Sequence, residues 1–134
     1  MFDIVKQNPV AAAEVGHEFQ VTLPDGTKTD FKITVRGDNS PVVKNHGRRV
    51  YQEMKAQEQQ AKRRGKEWEL DLDEAEDMSA EAAAVRVISW QGLAENGEEV
   101  FFTKEKAKAL FKEHSWLRDQ VLEAAQNPFN FRLD

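Results

Sequence analysis

Between His17 and Arg36 the chain alternates apolar and polar residues with period two, and the alternation is interrupted once, at Pro24-Asp25-Gly26. Phe19, Val21 and Leu23 share one face of a first strand, and Phe31, Ile33 and Val35 share one face of a second. Proline presets its own backbone angle, aspartate can bond its own backbone, and glycine accepts a positive φ, so the interruption is a turn and residues 17–36 are a β-hairpin. Two strands cannot hold an apolar face in water alone; a helix or a further strand must cover it. The rest of the chain has to supply that cover, and the outer strand edges are open to pairing.

The next segments predict helices of unequal quality. Gly37 to Pro41 is a break, with Ser40 placed as N-cap and Pro41 at the first helical position, and a helix is expected over 40–64. Its apolar stripe, Val43, Val50, Met54 and Ala61 with Tyr51 beside it, is thin. The second half is surrounded by Gln57, Glu58, Gln59 and Gln60, and is expected to project or fray. Residues 65–78 read as a charged, solvated linker, in which Trp68, Leu70 and Leu72 alternate with acids and could make a short strand. Residues 79–131 are expected to form a helical C-terminal part. Ser79 or Asp77 would cap a helix through the alanines to about Trp90, although Val85-Arg86-Val87-Ile88 is β-branched at three of four positions. Gly92 would end it. Asn96-Gly97 is a strong turn signal, Thr103 an N-cap, and Ala107, Leu110 and Phe111 one apolar helix face. Ser115 would cap a last helix with Leu117, Val121, Leu122 and Ala125 on its buried side, stopped at Asn127-Pro128. Trp116 and Leu117 are expected at the centre of this helical hairpin. The fold class is a small α+β single domain, 1–134, with an N-terminal β-hairpin and three to four helices.

Composition narrows the chemistry. A length of 134 residues allows one modest core. The formal charge of −5 offers no broad cationic field. The chain has no cysteine, which excludes a disulfide scaffold, a thiolate metal site and a cysteine nucleophile. Met1 to Val15 lacks the continuous apolar stretch of a signal peptide, and no apolar run is long enough to span a bilayer. His17, His46 and His114 are too far apart for ligand spacing and read as surface or edge residues. Asp71, Asp73 and Asp77 lack the glycine and terminal glutamate of a calcium loop. No Gly-rich phosphate loop and no nucleophile–base pair occurs. The expectation is a non-enzyme without cofactor or metal. Lys44, Arg48, Arg49, Lys55, Lys62, Arg63, Arg64 and Lys66 carry the alternative, a small nucleic-acid-binding protein using the basic 44–66 segment. Against it, no stacking aromatics interleave them, and an acidic run follows.

The aromatic residues of the last third give the functional lead. Trp90-Gln91-Gly92-Leu93, Asn96-Gly97, Phe101-Phe102-Thr103, Leu110-Phe111, Ser115-Trp116-Leu117-Arg118-Asp119-Gln120-Val121 and Asn127-Pro128-Phe129-Asn130-Phe131 follow one another over about a third of the chain. This pattern resembles the C-terminal signature of the tail assembly chaperones of long-tailed bacteriophages. In that family a tryptophan ends one helix, a phenylalanine with Ser or Thr opens the next, and a Trp-Leu-Arg-x-Gln-Val run opens the last. The resemblance implies a protein of the host bacterial cytoplasm, absent from the mature virion. Its implied partners are the tape measure protein, which it keeps soluble, and the tail tube protein, whose subunits it helps recruit. Some members also have a longer, frameshifted form. Most of the aromatics are needed for so small a core. Phe101, Phe102, Trp116, Phe129 and Phe131 are the candidate partner contacts, and Phe129 and Phe131 either fold back onto the core or stand as anchors beyond Pro128. Self-association stays open, and neither membrane nor nucleic acid is an expected partner.

Overall fold

The expected hairpin forms. In the computed structural model, which describes residues 1–132, β1 (His17–Thr22) pairs antiparallel with β2 (Lys28–Val35), bringing Phe19 opposite Ile33. The turn is held as its residues require: Gly26 takes φ +90°, and Asp25 accepts the Thr27 N–H at 2.9 Å. The last two residues of the expected 1–134 domain lie outside the described residues. A short helix, α1 (Pro9–Ala13), precedes the hairpin, its first turn capped by the Asn8 side chain.

The cover for the hairpin differs from the expected arrangement in two places. The 65–78 linker is helical in its second half: α3 runs Leu72–Arg86, so the start lies at Asp71, whose carboxylate accepts the Glu74 N–H at 2.8 Å, rather than at Asp77 or Ser79. Acids in the first turn favour this start, since Asp73 and Glu74 face the positive end of the helix dipole. The alternation at Trp68, Leu70 and Leu72 forms no strand. Second, residues 79–131 are not wholly helical. The β-branched run ends α3 at Arg86 and passes directly into β3 (Val87–Gln91), which pairs with β2 and puts Trp90 opposite Ile33. Gly92 therefore ends a strand. It takes φ +82°, and a Cβ there would collide with the Asp30 carbonyl. Beyond it, Asn96 and Gly97 both adopt positive φ and join two-residue strands β4 (Ala94–Glu95) and β5 (Glu98–Glu99).

The three-stranded sheet has the order β1-β2-β3. Phe31, Ile33, Val35, Val87 and Trp90 turn inward, whereas Glu18, Gln20, Lys32, Ser89 and Gln91 of the other face are exposed. The inner face is covered by α3, α4 (Lys104–Glu113) and α5 (Ser115–Gln126). Ala80, Ala83 and Ala84 are buried at no more than 1% exposure, and their small side chains let α4 approach α3 closely. Ala107 and Phe111, four apart on α4, and Leu117, Val121 and Ala125 on α5 complete the core. Thr103 caps α4 through the Lys106 N–H, as expected, but Ser115 does not cap α5; His114 holds that position without a side-chain bond.

α2 (Pro41–Arg63) is helical to its end, and its second half buries no residue, so it projects. Its second half is rich in Gln, Lys, Glu and Ala, which favour the helix intrinsically. Ser40 stands at the N-cap, but its side chain accepts no hydrogen bond from the helix; its buried hydroxyl donates to the Glu14 carboxylate instead.

Candidate partner-binding surface

The Trp-Leu-Arg-x-Gln-Val run occupies the first two turns of α5, and each of its ends has a structural reason. Leu117 and Val121 are buried at 2% and 0%. Gln120 faces the end of β1, where its Oε1 accepts the Thr22 N–H at 3.0 Å and its Nε2 donates to the Thr22 carbonyl at 2.8 Å. One side-chain amide thus does for this strand end what a neighbouring strand would do. The Nε2 also reaches the Trp116 carbonyl at 3.2 Å. Gln120→Ala leaves a half-buried backbone donor and acceptor unmet, and should cost about 1–3 kcal/mol. Urea unfolding reads this as a lower midpoint at constant slope. An unchanged midpoint would show that water replaces the amide without loss.

The five candidate contacts separate into three places. Phe101 is 75% exposed, whereas its neighbour Phe102 is half-buried with its ring edge-on to Trp90 at 5.1 Å. Trp116 is half-buried beside His114, at 5.9 Å, so it is not the centre of the helical hairpin; Leu117, one position on, takes that role. An amphipathic helix cannot bury two consecutive positions equally, since they diverge by about 100°. At the far end Phe129 is 72% exposed on a single 3-10 turn, Pro128–Asn130. Phe131 folds back: its ring lies 6.1 Å from His17 and against Gly37, where a Cβ would come within 3.0 Å. The two tail rings therefore have opposite fates. α5 has 12 residues, so at about 1.5 Å per residue it is roughly 18 Å long, with Trp116 in its first turn and Phe129 beyond its last.

Exposed apolar residues absent from the expected set stand at the N-terminus, where Phe2, Ile4 and Val5 are each at least 70% exposed. Their alternation with Asp3 and Lys6 gave no periodic signal in the sequence. His46 is also placed differently from expectation. It is buried at 6% on α2, and burial, opposed in part by the charge of Glu81, holds its pKa below the ordinary value. Its Nδ1 lies 3.1 Å from an Arg49 guanidinium nitrogen.

The basic residues of 44–66 are all exposed. Lys44, Arg48, Lys55 and Lys62 are spaced by four, seven and seven and fall on one face of α2. The nearest aromatic, Tyr51, has Lys55 over its ring at 5.7 Å. Among the described residues no group of three or more His, Asp or Glu side chains is arranged to hold a metal ion, and no helix is long and apolar enough to cross a membrane.

A family model described as YdaY prophage protein matches residues 43–134, from the first turn of α2 to the end of the chain. The chain belongs to the YdaY prophage protein family. The match covers the basic helix, the acidic start of α3 and the whole α4–α5 region; α1 and the β1–β2 hairpin lie ahead of it. Membership makes this a phage-related protein. It is a coarser statement than the tail assembly resemblance and does not single out that role. No curated protein and no solved structure matches.

Proposed function

We propose that this prophage protein is a tail assembly chaperone, a non-catalytic binder that keeps the tape measure protein soluble in the bacterial cytoplasm and helps recruit tail tube subunits. The observation that carries the reading is the state of the C-terminal signature: its helices are fully packed, yet Phe101 and Phe129 remain 75% and 72% exposed. Large rings left in water by a completed core are a surface for something else. A long helical client with exposed apolar side chains supplies the matching chemistry. Membership of a prophage family supports the setting.

The test is co-expression with the tape measure protein, comparing wild type with Phe101→Ser/Phe129→Ser. Phe131 is left alone, because its ring supports the His17 and Gly37 contacts. Each anchor ring is worth about 2 kcal/mol, roughly 30-fold in affinity, so soluble tape measure protein should fall sharply while the variant melts as wild type does. Equal solubility with both proteins would remove these rings from the binding surface. The basic face of α2 favours a second reading, nucleic-acid binding. Its lack of free stacking aromatics and the charge of −5 place it behind the first.

A further inference from the structure

Between the second half of α2 and the start of α3 the chain leaves a groove of about 220 Å³. Val50 and Met54 of α2, Met78 of α3, and Trp68 and Leu70 of the connecting segment form its apolar walls. All but Leu70 are half-buried, so the groove is built rather than accidental to one loop. A space of this volume suits one or two bulky side chains. Two methionines allow the walls to adapt to different shapes.

The rim has one sign. Glu53, Glu74, Asp77 and Glu81 surround the opening. Lys112 holds Asp77 at 2.9 Å and Asp73 at 3.1 Å, and Arg49 approaches Glu81 only to 3.9 Å. Glu53 and Glu74 have no ion pair among the described residues. The Glu74 carboxyl is held above its ordinary pKa, first by the charge of Asp71 and further by Asp73 and Asp77, so a cation arriving there relieves repulsion already present. Arg49 of α2 reaches only Glu81, and Arg64 and Lys66, which line the adjoining opening beside Trp68 and Glu74, form no ion pair with Glu74. Lys44, Lys55 and Lys62 each follow a residue of the apolar stripe, Val43, Met54 and Ala61, and so point about 100° away from the groove.

We propose that this groove docks a helical segment that inserts a bulky apolar side chain between α2 and α3 and sets lysines or arginines against the Glu53/Glu74 rim. The inference rests on the client-binding reading for the identity of the segment and gives that client its chemistry: basic and amphipathic at the contact.

The probe is an amphipathic leucine–lysine helix of roughly 14 residues, long enough to fold on contact, added to the full-length protein and followed by tryptophan emission. Binding should shift the emission, and Trp68→Phe should abolish most of the shift, because neither Trp90 nor Trp116 lines the groove. Glu53→Lys/Glu74→Lys, both at exposed positions, should weaken binding at least tenfold. Glu98→Lys/Glu99→Lys, an equal charge change on distant β5, should not. A leucine–glutamate helix should not bind. The proposal is overturned if the two charge reversals weaken binding equally, if the lysine helix does not bind, or if emission responds equally in Trp68→Phe. Self-association that the peptide competes away would give the groove to a second copy instead, and overturn it too. Failure of the client reading looks different: the peptide binds at the rim, yet the rim reversal leaves tape measure solubility unchanged in co-expression.

Discussion

Phe111→Ala should lower stability by about 3–5 kcal/mol, while Trp116→Ala, removing a larger ring five residues later, should cost clearly less. Phe111 is 0% exposed on α4, which packs chiefly against α3 and also meets α5, and it shares one buried cluster with Ala80, Ala83, Ala84, Ala107, Leu117 and Val121. Its neighbours are mostly small or β-branched, and the surrounding alanines have no longer side chain to swing into the space. The cavity therefore stays open and adds to the lost transfer energy. Trp116 is half-buried, so part of its ring is already in water and part of its loss is refilled by water. Against a typical total of about 5–15 kcal/mol, the Phe111 change removes a large share of the stability. Urea unfolding of both variants at the same pH checks the order. A Trp116→Ala midpoint lower than that of Phe111→Ala would show that α5 is pinned through its tryptophan, contrary to the burial of the two rings.

The same pair shows where the sequence was legible. Period and turn chemistry act locally, so the hairpin, the Pro41 start, the Asn96-Gly97 turn and the Thr103 cap could be read from neighbouring residues. The start of α3 could not, because Asp71, Asp73 and Asp77 are all competent caps; Asp71 caps it, and Lys112 reaches Asp73 and Asp77 from α4, a contact between segments far apart in sequence. β3 was hidden for a similar reason. Val85 to Ile88 already argued against helix, but only the open edge of β2 turns that reluctance into a strand. Arg36 contributes there too: its backbone N–H donates to the Arg86 carbonyl at 2.8 Å, at the point where helix becomes strand. For the candidate site, residue type announced the exposed rings, but not which would stay exposed. Phe129 and Phe131 differ only by where the 3-10 turn aims them, and Gly37, nearly a hundred residues earlier, makes the room for one of them. The α2–α3 groove was visible as a thin stripe and an alternation, two weak signals whose meeting is set by tertiary structure.

Trp90→Ala should be the other severely destabilising change, again about 3–5 kcal/mol, and it should differ from Phe111→Ala in what comes loose. The Trp90 ring meets Phe31 edge-on at 5.6 Å on one side and Phe102 at 5.1 Å on the other, while its Nε1 donates to the Val100 carbonyl at 2.9 Å. It is thus the post on which the segment after the β4–β5 hairpin hangs, and that segment carries Phe101 into solvent. Trp90→Phe keeps an aromatic edge toward both neighbours and loses mainly the hydrogen bond, so it should cost only about 0.5–1.5 kcal/mol for that bond, plus some loss of packing. The ordering Ala well below Phe, with Phe somewhat below wild type, is the expected outcome in urea unfolding. Hydrogen exchange then separates the local effect from the global one. In Trp90→Phe the Val100 N–H, bonded to the Leu93 carbonyl at 2.9 Å, should lose more protection than the amides of β2. If the proposed role of Phe101 is right, this variant should also capture the tape measure protein less well than its stability alone accounts for, because the ring is then presented from a loosened segment. Uniform loss of protection across β2 and Val100 would instead mean that Trp90 acts only through the sheet, and would cut the link between this core residue and the exposed ring beside it.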